Sequence, residues 1–272
     1  MPICQCDEYV DVVMWRFNDV NKMDTYGLIG FPLKHSFSAK FFTEKFEREE
    51  IDAEYLNFEI EDILEIRRVI LFHQHLRGIN VTIPYKEKII PFLQEISPEA
   101  EKIGAVNVIR VDRKPGDMYY YRLTGYNTDY IGFRDSLAPM LNPALHRKAL
   151  VLGTGGASKA VVQALDDLNI DWLYVSRTPG EKRLTYAMLS QEILSSHHLI
   201  VNASPVGTFP HSDECPEIPY RFLTPDHLLF DLVYNPEETL FLKKGKERGA
   251  LIKNGREMLE LQARAAWKIW NP

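Results

Sequence analysis

Several polar side chains in this sequence stand where local structure alone gives them no task. Lys86 ends NVTIPYK (80–86), and YKEKIIPFL reads as the start of a short helix after Pro84. A cation in that first turn opposes the helix dipole, at about 0.3–1 kcal/mol; its plain alternative is a solvated lysine. Asn107 interrupts the strand-like AVNVIRV (105–111), where Asn is unfavourable outside a bulge or an edge. Ser36 and Ser38 precede or open a Phe-rich helical stretch, which N-capping explains equally well. Asp129 fits an ordinary first-turn acid, and Thr82 an ordinary strand residue. An ammonium beside a developing oxyanion can stabilise the charge and deliver a proton.

A second constellation points to a nucleotide. KALVLGTGGASKAVVQAL (148–165) reads as strand, glycine turn and helix, with Gly153, Gly155, Gly156 and Ala157 in the turn. Such a turn lets a pyrophosphate approach the backbone at a helix N-terminus. Ser158 stands where the last glycine of G-x-G-x-x-G belongs, so the flanking strand and helix carry the reading. The next strand, WLYVSR (172–177), ends in Ser176, Arg177 and Thr178 with no acid. An NAD site normally places Asp or Glu there for the ribose 2′-hydroxyl, whereas a guanidinium accommodates a 2′-phosphate. The expected cofactor is NADP; a solvated Arg at a strand end is the bland alternative.

These residues need elements to hold them. TYGLIG (25–30), 53–60 and 78–84 read as strands, 36–50 and 61–76 as helices, 105–111 and 118–125 as a hairpin, and 128–140 as a helix. A second block repeats the alternation through KALVL, WLYVSR, HLIVNAS and HLLFDLVYNP. Alternating strands and helices imply an α/β fold with βαβ units and parallel sheets, in two domains with a break near 124–128.

Composition bounds the rest. The 272 residues are 45% hydrophobic and 26% charged, with a net charge of -6, the profile of a globular enzyme. No apolar window is long enough to span a membrane, and no basic excess favours nucleic acid. A small-molecule partner is expected. Three cysteines build no disulfide framework, so a reduced, cytoplasmic setting is the default. Cys4 and Cys6 lack a second pair, and His73/His75 and His197/His198 are not spaced as ligand pairs, so no metal is expected. Residues 1–22 read as an extension upstream of a natural start at Met23.

KHSFS (34–38), NVTIPYK (80–86), GAVNV (104–108), GYNTD (125–129), GTGGAS (153–158), VNASPVG (201–207), DLVYNP (231–236) and NGREMLELQA (254–263) occur in this order. Together they resemble the shikimate dehydrogenase family from about residue 24 onward. The resemblance implies NADPH-dependent reduction of 3-dehydroshikimate to shikimate in aromatic amino-acid biosynthesis. It implies a substrate domain with a mixed sheet, residues 1–128 and 255–272, and a Rossmann-like NADP domain, residues 129–254, the last helix returning to the substrate domain. It further implies that Ser36 and Ser38 bind the substrate carboxylate, bordered by Tyr234, and that Asn80, Thr82, Asn107 and Gln262 hold hydroxyls and carboxylate. Lys86 and Asp129 would be the catalytic pair, and Gly255 and Met258 would lie near the nicotinamide. A monomer or homodimer is expected.

Some positions depart from the family pattern. Glu181 stands where a second basic residue is frequent, with Lys182 and Arg183 beside it; Glu257 replaces a glycine, and Ala39 stands where Pro is frequent. Rival readings are a quinate or dual-specificity relative using NAD, a catalytically silent ligand-binding protein on the same scaffold, and a reductase of folate or amino-acid derivatives. Ser38 and Arg177 argue against the first, Lys86 with Asp129 against the second, and the serine pair with NVTIPYK against the third.

Overall fold

The computed structural model describes residues 23–33, 37–114 and 116–272, with Met118 described by its backbone alone. Residues 1–22 and Ser36 lie outside the described residues. Strands β1 (Asp24–Gly30), β2 (Ala53–Glu59), β3 (Leu76–Val81), β4 (Glu95–Ile96), β5 (Val108–Lys114) and β6 (Asp117–Tyr126) form one sheet, in the order β2-β1-β3-β5-β6-β4. Helices α1 (Phe37–Arg48) and α2 (Ile66–Phe72) cross between β1, β2 and β3, which therefore run parallel. The hairpin of β5 and β6 is antiparallel, and β5 is antiparallel to β3, so the sheet is mixed. Helices α3 (Pro98–Ile103) and α4 (Asp129–Leu137) follow.

The second sheet contains β7 (Lys148–Leu152), β8 (Asp171–Ser176), β9 (Arg183–Thr185), β10 (Leu199–Asn202), β11 (Leu228–Asp231) and β12 (Leu251–Lys253), in the order β12-β11-β10-β7-β8-β9, every pairing parallel. Helices α5 (Gly156–Asp167), α6 (Gln191–Ser196) and α7 (Leu240–Lys246) lie between its strands. Its central strands read as unbroken apolar runs because both faces are covered: Leu150, Val151, Ile200 and Val201 are fully buried. The chain leaves β7 towards β9 on one side and returns to β10 on the other. That reversal opens a crevice at the carboxyl ends of β7 and β10, the place where doubly wound sheets bind ligands.

Helix α8 (Arg256–Trp270) returns to the first sheet, as expected. Trp270 and Trp267 lie 5.1 and 5.2 Å from the Tyr26 ring, and Trp270 Nε1 donates to the Ile109 carbonyl at 3.0 Å. At its other end Met258 joins a core with Phe133 of α4 and Phe230 of β11. Helices α4 and α8 thus form the seam between the sheets, and α4 follows β6 after only two residues.

The structure corrects three local expectations. Residues 85–92 form no helix: turns with Ile89 N–H on the Tyr85 carbonyl lead into a 3-10 turn over Ile90–Phe92. Pro91 lacks an N–H and disfavours helical geometry at Ile90. Lys86 therefore opposes no helix dipole. Second, strand β5 starts at Val108, so Asn107 stands before the strand rather than interrupting it. Third, the helix expected over 61–76 shortens to α2 behind a 3-10 turn that Asp62 caps.

Several histidines pack together at one end of the second sheet. His198 and His227 rings lie 5.1 Å apart, at the end of the second sheet that also holds His146 and His197. His227 Nδ1 accepts from Thr224 N–H at 3.0 Å, and His146 Nδ1 accepts from Asn142 N–H at 2.9 Å, so both rings must stay neutral. Burial depresses the pKa of His146, His197 and His227 below the ordinary 6.5. The unfolded chain therefore takes up protons first as the pH falls. The stability these residues confer is complete above the unfolded histidine pKa and is lost as the pH drops through it towards the folded values. Chemical denaturation is expected to give lower stability at pH about 5 than at about 7, with a shallower slope in His227→Gln. Equal slopes in the two proteins would show that the cluster does not govern acid sensitivity.

Candidate active site

The glycine turn after β7 is built as the sequence implies. Gly153 has φ +106°, and a Cβ there would lie 3.2 Å from the Ala203 backbone, so both conformation and space require glycine. Gly155 differs: its φ is ordinary and a Cβ would meet nothing within 4 Å. The fold itself does not require glycine at 155, while a pyrophosphate resting on this backbone at the N-terminus of α5 would. Ser158, in place of the third glycine, turns its hydroxyl back onto the Gly155 carbonyl at 2.7 Å. Gly156 faces the first sheet, where a Cβ would stand 3.6 Å from Lys86 Cβ. Lys159, one turn along α5, pairs with Glu87 at 2.8 Å. The nucleotide turn and the loop carrying Lys86 therefore meet across the crevice.

At the end of β8 Arg177 and Thr178 are exposed and no acid is present. Ser176 closes its own turn, its hydroxyl donating to the Thr178 carbonyl at 2.8 Å, so it has less to offer a ligand than expected. The PGEKR segment loops back as β9. Lys182 lies over the Trp172 ring at 4.9 Å, whereas Arg183 is half-buried and its Nε has no hydrogen-bond partner. These features fit an NADP adenine ribose: an exposed guanidinium, no competing carboxylate, and a second, half-buried guanidinium on the neighbouring strand.

Across the crevice a polar cluster joins four segments of the chain. Lys86 Nζ donates to Asp129 Oδ2 at 2.6 Å, with side chains only 16% and 9% exposed. Asn107 Nδ2 donates to the other Asp129 oxygen at 2.9 Å and lies 3.2 Å from Gln262 Oε1. Asp129 opens α4 and Gln262 sits on α8. The pair is brought together by the closeness of those helices, since a Cβ on Gly132 would lie 2.4 Å from the Met258 carbonyl and 3.1 Å from Gln262 Cβ. Gly132 was not singled out by sequence; a glycine mid-helix in GYNTDYIG was its only signal. Gln262 is buried, not an exposed helix residue. Buried Thr128 was also missed, since Thr before an Asp reads as an ordinary N-cap.

The remaining expected residues surround this cluster. Asn80 is the penultimate residue of β3, its Oδ1 accepting from the Tyr55 hydroxyl at 2.7 Å. Tyr55 is stacked on Phe42, also bonds Ser38, and has its pKa raised by burial. Ser38 and Asn80 thus share one buried phenol, a link with no sequence signal. Thr82 follows β3, its N–H on the Ile29 carbonyl. Tyr234 reaches from beyond β11 to Phe37 at the start of α1, ring centroids 6.0 Å apart. Gly255 caps α8, its N–H on the Val233 carbonyl at 3.2 Å. Met258 is buried in the core beside it, so it can line a cofactor pocket only as an apolar wall. Glu257 pairs with Lys253, which answers its departure from the family pattern.

A buried carboxylate organises the loops beyond β10 and β11. Asp231 accepts from Asn202 Nδ2 at 2.9 Å, Val233 N–H at 3.0 Å and Thr239 Oγ1 at 2.6 Å. Desolvation outweighs these donors and pushes its pKa up to about 6. It ties VNASPVG to DLVYNP and so places Tyr234. Among the described residues no three His, Cys, Asp or Glu side chains form a metal-binding group, and no helix is long and apolar enough to cross a membrane.

Residues 28–109 match the family model described as the shikimate dehydrogenase substrate binding domain. The NADP(+) shikimate dehydrogenase of Carboxydothermus hydrogenoformans is 38% identical, over 94% of this chain and 93% of that protein. The crystal structure of shikimate dehydrogenase from Aquifex aeolicus matches with a TM-score of 0.80 and 34% identity, over 93% of this chain and 94% of that one. That of Thermus thermophilus, in complex with NADP(H) and shikimate, matches with a TM-score of 0.77 and 30% identity, over 92% and 94%. Mixed sheet, parallel sheet, returning helix and near-complete coverage agree, and the chain belongs to the shikimate dehydrogenase family.

Proposed function

We propose that this protein catalyses the reversible, NADPH-dependent reduction of 3-dehydroshikimate to shikimate in aromatic amino-acid biosynthesis. The observation that carries the reading is the Lys86–Asp129 pair in the crevice, facing the glycine turn of a nucleotide sheet whose β8 ends in Arg177 without an acid. A bound nicotinamide supplies the hydride, or receives it in the reverse direction. Lys86 stabilises the negative charge that develops on the carbonyl oxygen and donates its proton there. In alcohol oxidation the same amine, once neutral, accepts the hydroxyl proton. Asp129 fixes the ammonium and offers an acceptor to a neighbouring substrate hydroxyl.

In this reading Ser36, Ser38 and Tyr234 receive the substrate carboxylate, and Asn80, Thr82, Asn107 and Gln262 its remaining oxygens. Gly153, Gly155, Gly156 and Ala157 hold the pyrophosphate. Ser176, Arg177 and Thr178 hold the 2′-phosphate, with Gly255 and Met258 beside the nicotinamide. Residues 129–254 serve the cofactor, and 1–128 with 255–272 the substrate. The enzyme works in the cytoplasm on small molecules, as a monomer or homodimer.

A cofactor and substrate matrix tests this. Shikimate or quinate is offered with NADP⁺ or NAD⁺, and reduced-nicotinamide absorbance is followed. Rapid turnover is expected only with shikimate and NADP⁺. Preference for quinate or NAD⁺ would move the protein to the dual-specificity branch, and binding of shikimate without turnover in any combination would mark a silent scaffold.

A further inference from the structure

The Asn107 amide offers fewer protons than the acceptors around it demand. Its Nδ2 carries two hydrogens, yet Asp129 Oδ1 lies at 2.9 Å, Thr128 Oγ1 at 3.1 Å and Gln262 Oε1 at 3.2 Å. The amide cannot turn over to relieve this, because its Oδ1 accepts the Thr128 backbone N–H at 2.7 Å. The carboxylate, an acceptor of full charge, takes one hydrogen. The second goes to Thr128 Oγ1, whose own proton has two acceptors at 3.3 Å, Asn107 Oδ1 and Gln262 Oε1; Asn107 Oδ1 already accepts the Thr128 N–H, so the proton goes to Gln262 Oε1, which this assignment otherwise leaves without a donor. This assignment leaves every group satisfied, as burial demands: Thr128 has no exposed surface, Asn107 is 3% exposed and Gln262 is 7% exposed.

We propose that Thr128 is a positioning residue whose hydroxyl fixes the Gln262 amide with its oxygen inward and its two Nε2 donors turned to the substrate. The inference rests on the substrate reading given above for Gln262. It has a chemical consequence: the ligand atom facing Gln262 must be an acceptor, a carboxylate oxygen or a hydroxyl lone pair. Thr128 touches no reacting atom; it acts through the Gln262 amide, while its oxygen also receives one Asn107 amide hydrogen.

Thr128→Val keeps the side-chain shape and removes the hydroxyl, and Thr128→Ser restores it without the methyl. In Thr128→Val the KM for shikimate is expected to rise about 5- to 10-fold, with kcat and the KM for NADP⁺ changed less than about twofold, the range of one lost hydrogen bond. Thr128→Ser should return close to wild type. In the Gln262→Ala background Thr128→Val should cost clearly less than it costs alone, because the amide it orients is gone and only its contact with Asn107 is left to lose. Unaltered shikimate KM, equal losses for both ligands, or full additivity with Gln262→Ala would each overturn the proposal. NMR of glutamine labelled at its side-chain nitrogen reads the amide without catalysis. The Gln262 signal should move in Thr128→Val and return in Thr128→Ser, and a signal blind to Thr128 would refute the orientation. Wild-type turnover of shikimate tests the functional reading separately.

Discussion

Replacing Lys86 with arginine lowers kcat for shikimate oxidation by about 10²–10⁴-fold, the usual worth of a positioned acid–base group. Arginine is the informative substitution. Lys86→Ala should cost as much activity, but it also strands the Asp129 carboxylate, 9% exposed, without its cation. Losing one partner of a buried pair costs about 3–5 kcal/mol of stability, enough to confuse unfolding with lost chemistry. A guanidinium keeps the charge and can still pair with Asp129, yet it does not give up a proton in proteins. The expected pattern is therefore a folded Lys86→Arg protein with shikimate binding retained by calorimetry and turnover nearly abolished. A KM effect with kcat preserved would assign Lys86 to uniform binding and not to proton transfer. Substantial turnover in both variants would remove it from the mechanism.

How far this site was legible depends on whether a residue's partner lies near it in sequence. The nucleotide turn is local, and β7, Gly153 and α5 follow from KALVLGTGGAS because strand, turn and helix determine one another. The Lys86–Asp129 pair spans 43 residues and Asn107–Gln262 spans 155. Their types were visible through eight ordered motifs, but their contact is made by the packing of α4 on α8. Gly132 and Thr128 act only through that packing, and an isolated Gly or Thr in a helical stretch carries no sign of it. Tyr55 is another case: on β2 it looks like any aromatic strand residue, and only the fold brings its hydroxyl to Asn80. Where the sequence misled, local chemistry had been overread. Pro91 ended the expected helix after Pro84, so the apparent dipole penalty at Lys86 vanished.

Arg177 sets the second large effect, on cofactor choice. Its side chain is exposed at the carboxyl end of β8, and among the described residues no carboxylate pairs with it, so Arg177→Ala should cost little stability. Hydrogen bonds to a charged phosphate contribute about 1.5–3 kcal/mol, which converts to roughly 10- to 100-fold in the KM for NADPH. NADH lacks that phosphate, and its kcat/KM should stay within about twofold. Arg183 bears on where in the range the loss falls, because β9 holds its half-buried guanidinium beside β8. Arg177→Ala combined with Arg183→Ala should exceed the single change if both reach the phosphate. Gaining NAD use needs an acid, not merely a lost cation. Ser176→Asp is suited to this, since a carboxylate can still accept the Thr178 N–H that Ser176 Oγ accepts at 3.3 Å and offer its other oxygen to the ribose diol, while giving up the donation to the Thr178 carbonyl. Ser176→Asp with Arg177→Ala should therefore reverse the preference. Equal losses with NADPH and NADH in Arg177→Ala would instead make this arginine part of the loop's architecture and leave phosphate recognition to Arg183.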